Sequence, residues 1–81
     1  MEEILPKLKK IISDNFGVSE NLIVPEAHLL TDLNLSEIET TDLISLISKE
    51  FKLHLPEGLE IDSMQTVQDL VLFIEQNINE L

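Results

Sequence analysis

The segment with the clearest structural signal is Thr31-Asp32-Leu33-Asn34-Leu35-Ser36-Glu37-Ile38-Glu39-Thr40-Thr41-Asp42-Leu43, a polar turn that runs into an acidic helix. Ser36 followed three residues later by Glu39 is the pattern of a capping box, in which two side chains bond N–H groups that a helix start leaves unpaired. Apolar residues then recur at helical spacing, at Leu43, Ile44, Ile47 and Phe51. The pattern predicts a helix from about Glu37 to Phe51, with its acidic side chains off the apolar stripe.

Two further helices are predicted on either side of this one. The first spans residues 2–16 and ends at Gly17, a residue type that often closes a helix in the left-handed conformation. Its predicted buried face consists of Ile4, Leu5, Leu8, Ile11, Ile12 and Phe16. The last helix begins near Thr66, where Thr66 and Asp69 repeat the capping pattern, and it frays toward Leu81. Its apolar residues are Val67, Leu70, Val71, Phe73, Ile74 and Ile78.

The connections between the helices differ in length. Residues 18–35 exceed the usual loop length but are rich in Leu, Ile and Val, which predicts an ordered connection packed across the helices. The residues expected to turn inward are Leu29, Leu30 and Leu33. Pro56 and Gly58 limit the segment Lys52–Ile61 to about one helical turn. The prediction is an all-α bundle of three main helices and a short third one, forming a single domain over residues 1–81.

Composition narrows the classes of function. The 81-residue chain carries a formal net charge of −11, which disfavours nucleic-acid binding and favours a monomer that attracts basic protein partners. The chain has no cysteine, so a thiolate metal site is excluded. No apolar run reaches the roughly 20 residues of a membrane span, and the N-terminus lacks the features of a secretion signal. We therefore expect a protein of the cytoplasm or an organelle matrix.

An ordered set of short matches covers nearly the whole chain. It comprises Lys9-Lys10-Ile11-Ile12, Gly17-Val18, Ile23, Ala27, Asp32-Leu33, Thr40, Leu43, Phe51, Leu55-Pro56, Thr66-Val67-Gln68-Asp69 and Phe73-Ile74-Glu75. In order and spacing this set resembles the acyl carrier protein family, with a one-residue insertion near Glu60. The resemblance implies a small four-helix bundle with a long first loop and a short third helix. It also implies a carrier of acyl groups in fatty-acid or polyketide-type synthesis rather than an enzyme.

The family attaches 4′-phosphopantetheine to a serine at the start of the second helix, within an Asp-Ser-Leu triplet. In the ungapped register, Ser36 takes the place of the aspartate and Glu37 takes the place of that serine. A carboxylate has no hydroxyl with which to form the phosphodiester. We therefore expect no prosthetic group at the usual position, and 4′-phosphopantetheine only if Ser36 is modified instead.

Other sites for a prosthetic group or a metal remain as alternatives. Attachment at Ser36 requires a shorter turn and a one-residue slip that rotates the helical stripe by about 100°. The triplet Asp62-Ser63-Met64 also copies the motif, but only one helix follows it. Asp32, Asn34 and Ser36 alternate as in a calcium loop, yet Glu37 replaces the glycine and Leu43 the final carboxylate of that motif. A solvated turn explains that last pattern better, so no metal site is expected.

The two histidines, His28 and His54, have no spacing typical of metal ligands and are interpreted as structural residues.

The resemblance further implies that the second helix docks on basic patches of acyl-transfer or synthase-type enzymes. Glu39 and Asp42 match acidic docking residues of the family, and Glu37 adds a charge where the prosthetic group would leave the helix. The leading hypothesis is a divergent carrier homologue that is unmodified at the usual position and acts by protein–protein contact. The alternatives are a working carrier loaded on Ser36 and a structural or lipid-binding helical bundle.

Overall fold

The computed structural model describes residues 3–53 and 61–78. These residues form three α-helices, α1 (Ile4–Phe16), α2 (Glu37–Phe51) and α3 (Val67–Asn77). Single 3₁₀ turns lie at Glu20–Leu22 and Ile61–Ser63. The described part of the chain contains no strand, so the all-α prediction is confirmed. The short helix predicted within Lys52–Ile61 lies mostly outside the described residues.

Helix α1 ends as its sequence predicts. Gly17 has a φ of 70°, and its N–H donates to the carbonyl oxygen of Ser13 at 3.0 Å. No neighbouring atom lies within 4 Å of a Cβ built at Gly17, so the left-handed backbone, not a lack of space, favours glycine here. Of the predicted apolar face, three residues are buried and three are half-buried against the core. The buried ones are Ile4, Leu8 and Ile12, and the half-buried ones are Leu5, Ile11 and Phe16.

The core lies where α1 packs against both α2 and α3. The two later helices contribute most of its fully enclosed side chains, among them Leu43, Ile47, Val67, Leu70 and Ile74. Each of these residues belongs to a helical stripe that the sequence predicts. The apolar spacing of α2 and α3 therefore gives the packing faces correctly.

The long connection between α1 and α2 is ordered, as predicted. Its buried residues are Ile23, Ala27, Leu29, Leu33 and Leu35. Its backbone is hydrogen-bonded to the start of α3, where the Leu29 N–H donates to the Gln65 carbonyl at 2.8 Å. The N–H groups of Val67 and Gln68 donate in return to the carbonyls of Ala27 and Pro25, each at 3.0 Å.

The prediction that Leu30 turns inward is wrong. The side chain of Leu30 is 62% exposed, whereas those of Leu29 and Leu33 are buried. The N–H groups of Asp32 and Leu33 both donate to the His28 carbonyl at 3.0 Å, which winds this part of the connection into a helix-like turn. In such a turn, residues four apart share a face and consecutive residues do not, so Leu29 and Leu33 point together while Leu30 points away.

Asp69 holds the start of α3 in a second capping box. One of its carboxylate oxygens accepts the N–H groups of Gln65 at 2.9 Å and Thr66 at 3.0 Å, and the Thr66 hydroxyl accepts the Asp69 N–H at 3.1 Å. Burial by itself raises the pKa of Asp69. The hydrogen bonds from Gln65 and Thr66, with the charge of His28, outweigh that effect and leave the pKa below its ordinary value.

Replacing Asp69→Asn should lower the free energy of unfolding by roughly 1 kcal/mol at neutral pH, because the ionised acceptor is lost. A depressed folded-state pKa stabilises the fold above the ordinary pKa of aspartate, and this stabilisation is lost as the pH falls through the folded-state value. The gap between wild type and variant should therefore be constant above about pH 5 and shrink below about pH 4. Urea unfolding across this range measures the gap.

Asp14→Asn is the matched control, because Asp14 makes only an exposed ion pair with Lys10 at 3.7 Å. If Asp69→Asn and Asp14→Asn had equal effects at every pH, Asp69 would not stabilise the start of α3.

Candidate functional site

The junction of the long connection with α2 is a complete capping box. The Ser36 Oγ accepts the backbone N–H of Glu39 at 3.1 Å, and the Glu39 carboxylate accepts the backbone N–H of Ser36 at 2.9 Å. The Ser36 carbonyl also accepts the Thr40 hydroxyl at 2.9 Å. These bonds confirm the predicted cap. They also engage the Ser36 hydroxyl, the alternative attachment site of the sequence analysis, in starting the helix.

Glu37 is the first residue of α2 and its side chain is exposed. A carboxylate at this position is favoured by the positive end of the helix dipole. It offers no hydroxyl for a phosphodiester, so Glu37 itself does not fit 4′-phosphopantetheine. Ser36 has a hydroxyl, but it stands one residue earlier, in extended backbone outside the helix.

The three predicted docking carboxylates lie in different environments. Glu37 and Asp42 are exposed, whereas Glu39 is half-buried because one of its oxygens is bonded to the Ser36 backbone. Ile38 lies between them and is 76% exposed, the largest exposure among the large apolar side chains of the described residues. Ile38 and Asp42 are four residues apart and therefore neighbours on the helix surface. The exposed face of α2 thus combines carboxylates with one apolar side chain.

The sequence interpretation gave Ile38 no role. The helical spacing alone indicates that Ile38 is exposed, because it stands opposite the buried stripe that contains Leu43 and Ile47.

An open groove of about 650 Å³ adjoins the start of α2. Three parts of the chain line it: the long connection, the first turns of α2 and the segment before α3. The lining residues are His28, Leu29, Leu30, Thr31, Leu35, Glu37, Thr40, Thr41, Asp62, Met64 and Gln65. The sequence did not predict this groove, because it depends on the pairing of residues that lie more than 30 positions apart.

The sequence contains three other residues that were candidates for a site, namely Ser63, His28 and His54. Ser63 is in the 3₁₀ turn that precedes α3, and its side chain is exposed. His28 is exposed and pairs through its backbone with Thr66, whereas His54 lies outside the described residues.

The calcium-like turn uses its polar groups locally. The Asp32 carboxylate accepts the His28 N–H at 2.8 Å, and Asn34 adopts a left-handed backbone with a φ of 60°. Within residues 3–53 and 61–78, no group of three or more His, Cys, Asp or Glu side chains is arranged to hold a metal ion. No helix in this part of the chain combines the length and apolar character of a membrane crossing.

Comparison with known proteins gives the family. The chain is 36% identical over 76 residues to an acyl carrier protein of Thermosynechococcus vestitus, a match that covers 94% of this chain and 93% of that relative. It is 34% identical over 77 residues to an acyl carrier protein of Thermotoga maritima, covering 95% and 94% of the two chains. The chain belongs to the acyl carrier protein family. The resemblance inferred from its sequence motifs is thereby confirmed.

A solved structure shows the same fold. The apo doublet acyl carrier protein from prodigiosin biosynthesis superposes with a TM-score of 0.82 at 22% identity. The superposition covers 99% of this chain and 38% of that longer one. It confirms the predicted small helical bundle of carrier-protein type. No protein-family model matches the chain.

Replacing Ser36→Ala should lower the free energy of unfolding by about 1 kcal/mol, because the Glu39 N–H loses its acceptor. Ser36→Asp should retain most of the wild-type stability, since aspartate is also a good N-cap. Urea unfolding followed by circular dichroism measures both. Equal stability of Ser36→Ala and wild type would contradict a structural role for this hydroxyl.

Proposed function

We propose that the protein is a non-enzymatic member of the carrier family that is unmodified at the usual position and acts by protein–protein contact. The observation that carries this proposal is Glu37, an exposed carboxylate at the first position of α2, where the family places its attachment serine. Fatty-acid or polyketide-type metabolism is the proposed setting, on the strength of the family relationship. A monomeric state and a location in the cytoplasm or an organelle matrix remain predictions.

The proposed contact surface is the exposed face of α2, formed by Glu37, Ile38, Glu39 and Asp42. Its charges suit the basic patches of acyl-transfer or synthase-type enzymes. Glu37 supplies a negative charge where a loaded carrier has its phosphodiester. A partner that binds the loaded carrier would therefore meet a similar negative charge at Glu37. It would not meet the phosphopantetheine arm that carries the acyl group.

The lysines of α2 lie toward its far end, and Lys49 lines the same shallow groove as Asp42. Lys49 and Lys52 lie at the far end of α2, and Lys7 lies over the ring of Phe51 at 5.7 Å from its centroid. Glu37 and Asp42 make no hydrogen bond or ion pair through their carboxylates with the described residues. Both carboxylates are thus available to a partner.

Incubation with a phosphopantetheinyl transferase and coenzyme A should leave the intact mass of the wild-type protein unchanged. Glu37→Ser restores a hydroxyl at the family's attachment position and should allow the mass to rise by one phosphopantetheine group. Intact-mass spectrometry measures both outcomes. A loadable carrier protein treated in the same way shows that the transferase is active.

Two variants separate the alternatives in this experiment. Loading of wild type that disappears in Ser36→Ala would establish the alternative in which Ser36 carries the prosthetic group. Loading of Glu37→Ser that persists in Glu37→Ser/Ser36→Ala would place the new attachment at residue 37. Loading of the unaltered protein on any serine would overturn the proposal of an unmodified carrier homologue.

Charge removal from the exposed face should weaken partner binding. The partner in this test is a synthase that accepts the loadable acyl carrier protein of the same cell. For this partner, Glu37→Gln and Asp42→Asn should each reduce the binding affinity several-fold. Each should also reduce the dependence of binding on salt, because a screened charge pair is lost. Glu20→Gln is the control, since Glu20 is exposed but lies in the 3₁₀ turn after α1. Equal affinities for all three variants and wild type, by calorimetry, would exclude this face as the contact surface.

A further inference from the structure

The exposed side of α2 carries charges of both signs, separated along the helix. Two exposed carboxylates, Glu37 and Asp42, lie in its first two turns. The exposed Lys49 lies in its last turn, and Lys52 is the residue that ends the helix. Because an α-helix rises about 1.5 Å per residue, about 10 Å of helix separates Asp42 from Lys49. The acidic surface of the proposed contact thus continues into a basic end.

Asp42 and Lys49 line the same shallow groove, of about 340 Å³, between α2 and the end of α1. Residues seven apart on a helix lie on nearly the same side, so these two side chains point in similar directions. The groove is also lined by residues between them on α2 and by two residues of α1, namely Ser45, Leu46, Asn15 and Phe16. A partner that covers this groove therefore meets both charges at once.

Lys49 has no acidic neighbour on the surface of its own helix. Side chains three and four residues apart are the ones that meet there. For Lys49 these neighbours are Ser45, Leu46, Lys52 and Leu53. Glu50 is next in the sequence but is turned away by about 100° around the helix. Within residues 3–53 and 61–78, the Lys49 ammonium group makes no ion pair or hydrogen bond, so its charge is available to a partner.

A uniformly basic patch on a partner would fit only one half of this surface. Exposed charges about 10 Å apart are largely screened from each other at physiological ionic strength, where the screening length is about 8 Å. Asp42 and Lys49 therefore do not cancel each other, and each interacts with the partner group directly opposite. A basic group opposite Asp42 is attracted, whereas a basic group opposite Lys49 is repelled and lowers the affinity.

We propose that Lys49 is a specificity-determining residue of the contact surface. The partner carries a basic group against Asp42 and a carboxylate against Lys49, and about 10 Å separates the two groups. Lys49 favours such a mixed-charge protein and disfavours one whose patch is entirely basic. This inference rests on the proposed function, because it names the class of partner for that same surface.

The test uses a synthase that accepts the loadable acyl carrier protein of the same cell and whose patch for that carrier is entirely basic. Lys49→Glu should bind this synthase about tenfold more tightly than wild type, because a repelled charge becomes an attracted one. Lys49→Gln should have an intermediate affinity. The binding of Lys49→Glu should also depend more steeply on salt than that of wild type. Calorimetry at low and high salt measures these affinities.

Lys10→Glu is the matched control, because it makes the same change of charge on another helix. Lys10 stands two residues from both Leu8 and Ile12 on α1, and therefore opposite the buried face of that helix. Its affinity for the synthase should stay close to that of wild type. Circular dichroism of each variant verifies that it is folded.

A glutamate scan of the basic patch then locates the group opposite Lys49. One basic residue of the synthase, when changed to glutamate, should strengthen the binding of wild type and weaken the binding of Lys49→Glu. Such a reversal is the signature of direct coupling between two charges. A basic residue opposite Asp42 should instead weaken the binding of both proteins when it is changed to glutamate.

Two results would overturn the proposal. One is a Lys49→Glu affinity no higher than that of Lys10→Glu, and the other is a scan without any position whose effect reverses. If Glu37→Gln and Asp42→Asn still weaken binding, either result removes the role of Lys49 and leaves the proposed contact standing. If those two variants bind like wild type, the contact surface itself is excluded.

Discussion

The hydrogen bonds between the long connection and the start of α3 are the constraint on which the rest of the structure depends. A connection of this length carries many backbone groups that must be paired if it is to pack over the core. The bonds that join Leu29 to Gln65 and Val67 to Ala27 supply such pairs. They hold the connection against α3 and thereby position the start of α2 relative to α3. The groove exists because these two segments and the first turns of α2 meet there.

The start of α2 has a structural explanation in its own residues. Ser36 caps the helix through its hydroxyl, and Glu37 occupies a position where the helix dipole favours a carboxylate. Neither role requires a prosthetic group. The chain keeps the architecture of the acyl carrier protein family, and we propose that it does so without a hydroxyl at the attachment position. What remains exposed is an acidic face with Ile38 at its centre, a surface suited to contact with another protein.

The sequence predicts most of the helical architecture because its signals are local. The capping boxes at Ser36 and Thr66 and the left-handed Gly17 give helix ends that agree with the structure within a residue or two. The inward orientation predicted for Leu30 is wrong because it depends on a turn closed by hydrogen bonds to the His28 carbonyl. The residue types of this segment do not indicate such a turn. The groove was missed for a related reason, since its lining residues come together only through tertiary pairing. The site residues proposed on α2 rest on the family resemblance, which supplied the register that assigns Glu37 to the attachment position.

The most direct test is the intact mass of the protein isolated from the cells that naturally make it, where every native transferase has acted. The chain without a phosphopantetheine group is the expected species, because the residue at the attachment position is a glutamate. A population heavier by one phosphopantetheine group, mapped by peptide fragmentation to Ser36 or any other serine, would contradict the proposal that this family member works without the arm.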